Sequence, residues 1–79
     1  MDAIDLASEI KRARNVAARH AAYATNGDGA EWDDPQMVAH MWQQSAARHA
    51  ARAEYLTRQA KGSTDPELPR YLKLFGVTL

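Results

Sequence analysis

The sequence predicts an all-α protein: an antiparallel helical hairpin with an Ala-rich heptad seam, followed by a short C-terminal helix. Three observations predict it. Sixteen of the 79 residues are alanine, the strongest helix former. Gly and Pro fall only at 27–35, 62–69 and 76, which leaves two breaker-free stretches of helical length without strand alternation. Each stretch carries one apolar stripe at alternating steps of three and four.

The first helix is expected over about 3–25. Asp2, Asp5 and Glu9 suit its positive N-terminal end, and Thr25-Asn26-Gly27 offers a left-handed C-cap. A loop over 26–34 follows, with Asn26-Gly27 as turn residues. The second helix is expected over about 35–61, with Asp34 as cap and Pro35 in the first helical position. It should end at Lys61-Gly62 through the same left-handed cap. Asp65-Pro66 then opens a short helix or tail over about 66–79, with Pro69 either in its first turn or resetting its start. All of this lies within one domain, 1–79.

The seam gives the hairpin its register. In the first helix it comprises Ala3, Leu6, Ile10, Ala13, Ala17, His20 and Ala24. In the second it comprises Ala39, Trp42, Ala46, His49, Ala53, Leu56 and Ala60. The short loop folds the helices back on each other, so that Ala24 faces Ala39, His20 faces Trp42, Ala17 faces Ala46 and Ala13 faces His49. Ile10 then faces Ala53, Leu6 faces Leu56 and Ala3 faces Ala60. Small residues against small or large ones let the axes approach closely, and the same register sets Glu9 beside Arg52.

A hairpin of this size buries too little to stand alone, since a short chain rarely draws more than about 3–5 kcal/mol from its core. The apolar tail, with Tyr71, Leu72 and Phe75, is therefore expected to dock on the flank formed by Tyr23, Val38 and Met41. The opposite flank carries Ile4, Ala7, Ala18, Ala21, Ala47 and Ala50, and its flatness suits a second copy. The expected assembly is a homodimer forming a four-helix bundle.

Composition limits function. Ten basic residues balance ten acidic ones, and no apolar run approaches the roughly 20 residues of a membrane span. There is no cysteine, and the start, MDAIDLASEI, lacks the basic-then-apolar pattern of a signal peptide. The expected setting is cytoplasmic, with no membrane partner. The Ala and Arg bias (seven Arg to three Lys) hints at a high-GC bacterium or its phages.

Catalytic signatures are missing. His20, His40 and His49 show no helical metal-pair spacing, and the loop Asn26-Gly27-Asp28-Gly29 fails as a calcium loop because Ala24 and Pro35 would occupy its first and last ligand places. Ser8, Ser45 and Ser63 have no His and acid at suggestive spacing. No enzyme, cofactor or metal is expected. The partner-binding candidates are Lys11, Arg14, Arg48 and Arg52, which the register draws together mid-hairpin. The expected function is a small interaction module, an adaptor or inhibitor of a larger protein with an acidic surface, encoded by a phage or mobile element. The alternative is a small DNA- or RNA-binding regulator using an Arg-rich helix face.

Overall fold

The computed structural model describes residues 1–79 as three α-helices with no strand. α1 spans Ala3–Asn26, α2 spans Pro35–Lys61 and α3 spans Leu68–Phe75. A single 3-10 turn, Ala30–Trp32, lies in the loop between α1 and α2, where no regular structure was expected.

The helix ends follow local chemistry. The Asp2 carboxylate accepts from the Asp5 amide at 2.9 Å, and Asp34 accepts from the amides of Gln36 and Met37 at 2.8 and 3.3 Å. α1 closes on Gly27 at φ 71°, in the left-handed region. Gly62 differs from the expectation: its φ of −89° is right-handed, and its amide donates to the carbonyls of Arg58 and Ala60. The last turn of α2 thus tightens without reversing handedness. Asp65 caps only a turn, accepting from the Glu67 amide at 2.9 Å. Pro69 sits in the first turn of α3, whose start is therefore reset to Leu68. At its end the Val77 amide donates to the Leu72 carbonyl at 2.8 Å, and Val77 packs against the core.

α1 and α2 form the antiparallel hairpin, and the seam lies between them. Ala3, Leu6, Ile10, Ala13, Ala53, Leu56 and Ala60 are buried, and the remaining seven seam positions are half-buried. The expected neighbours meet at several points. His20 lies edge-on to Trp42 with ring centroids 5.0 Å apart, and Glu9 pairs with Arg52 at 3.7 Å.

The tail docks elsewhere than expected. Leu68 and Leu72 join Ala3, Leu6, Ala7, Ile10, Leu56 and Ala60 in one core cluster, with Tyr71, Phe75 and Val77 packed against it. α3 thus covers the N-terminal part of the small-residue flank, where Ala7 is fully buried. Tyr23, Val38 and Met41 lie at the loop end of the hairpin, out of its reach. The physical reason is chain length. α2 is about 40 Å long and delivers the chain to the N-terminal end of α1, and an eight-residue helix after a short linker extends only about 12 Å.

Every buried residue lies in 3–13, 53–60 or 68–72. One end is a three-helix core; the other is two helices held by a half-buried seam. The extents of 49 × 19 × 17 Å and a radius of gyration of 15.3 Å describe a rod, since a compact chain of this length would have a radius of about 12 Å.

Candidate functional site

The four basic candidates do not form one patch. Arg14 is half-buried and works within the chain: its guanidinium donates to the Thr78 carbonyl at 2.8 Å and to the Thr57 hydroxyl at 3.2 Å. It straps the C-terminal segment to the hairpin. Lys11 lines a groove with Ser8, Asn15, Arg19 and Phe75. Arg52 lines another with Glu9, Arg12, Ala13 and His49, and its charge is offset by Glu9, which also lies 4.0 Å from Arg12. Arg48 has no carboxylate within ion-pair distance and lies one turn from Arg52 on the outer side of α2. The seam register brings the backbones together as expected, but flank side chains splay to opposite sides of the hairpin, which separates Arg14 from Arg48.

The tail-packing candidates divide similarly. Tyr71, Leu72 and Phe75 pack on the core at the N-terminal end of α1. Tyr23 instead packs on Trp42, with ring centroids 4.9 Å apart, and Val38 and Met41 line a groove of about 360 Å³ with Gly29, Trp42, Gln44, Ser45 and Arg48. The Trp42 indole N–H donates to the Asp28 carbonyl at 2.9 Å and pins the loop beside this groove.

A polar network that sequence reasoning missed lies beneath the groove. His20 Nδ1 and Ser45 Oγ lie 2.7 Å apart, and His49 Nδ1 donates to the Ser45 carbonyl at 2.8 Å. The two imidazoles meet edge-on at 5.2 Å, and His20 also stacks on Tyr23 at 5.8 Å. A carbonyl accepts only, so His49 carries its proton on Nδ1. Both rings are thus anchored through Ser45, and no buried side-chain nitrogen or oxygen lacks a partner. Ser45 and His20 are in hydrogen-bond contact, and neither imidazole is paired with a carboxylate. No group of three or more His, Asp or Glu side chains converges on a metal position. The signal for this network was the register itself, which sets Ser45 on the flank next to the position facing His20.

The hairpin leaves the outer face of α2 uncovered, as it does Leu74 at the other end of the rod, which is 71% exposed. Met37, Met41 and Tyr55 are 55%, 60% and 53% exposed, and Trp32 in the adjoining turn is 85% exposed. Met37, Met41 and Tyr55 lie on the side of α2 opposite the seam, and α3 packs on α1. Isolated exposed apolar residues are ordinary on a protein surface, and these three share one helix face. No helix of the structure is long and apolar enough to cross a membrane. Comparison with protein-family models, curated proteins and solved structures returned no match.

Proposed function

We propose that the chain is a small non-enzymatic protein–protein interaction module, acting as an adaptor or inhibitor and docking through the outer face of α2. The observation that carries this reading is the exposure of Met37, Met41 and Tyr55 on one face of α2, beside the groove that Arg48 helps to line. Met and aromatic side chains supply adaptable apolar contact area, and an Arg at the rim adds selection for an acidic group. Homodimerisation belongs to the same proposal, because the two-helix end has a thin core. A cytoplasmic setting and a phage or mobile-element origin belong to it as well and rest on sequence composition.

The test is site-specific photo-cross-linking. A cross-linking residue placed at Met41 is expected to capture a protein, whether another copy or a different chain, while the same residue at exposed Asn15 on the far side of α1 captures none. Equal labelling at both positions, or none at Met41, contradicts the reading. Nucleic acid bound through Lys11, Arg48 and Arg52 would instead appear as retention on DNA or RNA that falls steeply with salt.

A further inference from the structure

The outer face of α2 carries a second stripe at alternating steps of three and four: Asp34, Met37, Met41, Gln44, Arg48, Ala51, Tyr55 and Arg58. It lies on the side of the helix opposite the seam, and every member is exposed. Its apolar members, Met37, Met41, Ala51 and Tyr55, fall in both halves of the helix. Half of the stripe is polar, so its occupant must answer the charges as well as the apolar groups.

We infer that the occupant is a second copy of this chain, with the two α2 helices antiparallel and back to back. This deepens the docking reading above and rests on it. The argument is self-complementarity. Run the stripe against a reversed copy of itself, with the two-fold axis on the outer face at the level of Ala46, midway between Gln44 and Arg48. Asp34 then faces Arg58 of the other copy, Met37 faces Tyr55, Met41 faces Ala51 and Gln44 faces Arg48, and each pair occurs twice. Opposite charges meet at both ends, large apolar groups meet each other, and Met41 meets a small residue. Glu31 is carried towards the other copy's Lys61 by the same register.

The parallel arrangement sets Asp34 on Asp34, Arg48 on Arg48 and Arg58 on Arg58. Like charges in register are disfavoured, so the stripe selects direction as well as partner. Symmetry favours this outcome too, because a two-fold interface uses the same patch on both copies. The groove lined by Val38, Met41, Trp42 and Arg48 runs beside the stripe and gives the incoming side chains depth. The assembly is a row of four helices, α1 and α2 of one copy against α2 and α1 of the other. The small-residue flank, which α3 already partly covers, takes no part in it.

The chain has no cysteine, which makes a cross-linking map clean. Met41→Cys protein mixed with Ala51→Cys protein is expected to give the mixed disulfide dimer under mild oxidation, well above the yield from either protein alone. Arg58→Glu, which sets like charges together at both ends, is expected to lower that yield several-fold while leaving circular dichroism unchanged. Three results overturn the inference. Efficient self-linking of Met41→Cys alone indicates parallel pairing. Preferential linking through Ala21→Cys or Ala47→Cys puts the interface on the small-residue flank. A Met41 photo-cross-link to a different protein, with no disulfide dimer, leaves the docking reading standing and removes self-pairing.

Discussion

At the scale of single residues, Ile10 and the glycines test the account most sharply. Ile10 is the largest side chain with no exposure, at the point where α1, α2 and α3 share one cluster. Ile10→Ala should therefore cost about 2–5 kcal/mol, near the whole stability of so small a chain. Urea unfolding of the two proteins measures it, and a loss below 1 kcal/mol would mean the site is not packed as described. Gly27 and Gly62 give a paired test because the two helices end differently. At Gly27, φ is 71° and nothing lies within 4 Å of an added Cβ, so Gly27→Ala should cost about 1 kcal/mol through backbone conformation alone. At Gly62 the backbone is right-handed and an added Cβ meets only ordinary contacts. Gly62→Ala should be neutral or stabilising, by up to about 1 kcal/mol. The sequence could not separate these glycines, because both follow a helix and only the dihedral angle distinguishes a left-handed cap from a tightened turn.

Between elements, the seam was legible and the flanks were not. The stripe from Ala3 to Ala24 and the one from Ala39 to Ala60 lie where their spacing sets them, because each is a row of its helix without a Lys, Arg, Asp or Glu. The placement of α3 was not legible, since its apolar residues fit either flank. The choice came from reach: the chain leaves α2 beside Ala3 and Ala7, not beside Tyr23. Arg14 misled for a related reason. Its position is mid-hairpin, but its long side chain ends on Thr57 and Thr78. Truncation after Pro69 tests the role of α3. It removes Leu72 from the core and Tyr71, Phe75 and Val77 from its margin, and at about 1.5–3 kcal/mol per fully buried large side chain the loss should reach several kcal/mol. Unchanged thermal stability would mean that α3 contributes nothing to the hairpin and is held for a partner.

Across the whole molecule, the two ends differ in stability. All fully buried residues belong to the three-helix end, while the loop end depends on half-buried Ala, His20, Trp42 and His49. Amide hydrogen exchange should accordingly be fastest around residues 18–26 and 37–45 and slowest around Leu6, Ile10 and Leu56. Uniform protection along both helices of the isolated monomer would contradict that division. Pairing through α2 would slow exchange along its length and supply the apolar burial that the rod lacks. In the proposed pairing a second copy covers the outer face of α2. Sedimentation equilibrium at micromolar concentrations tests it most directly, comparing the native 8.8 kDa chain with a Met41→Lys, Tyr55→Lys variant. The native protein is expected to show a mass near twice that of the chain and the variant a single-chain mass, with equal helicity. A native protein that remains a single chain at every concentration, or a variant that dimerises as well as the native one, would contradict it.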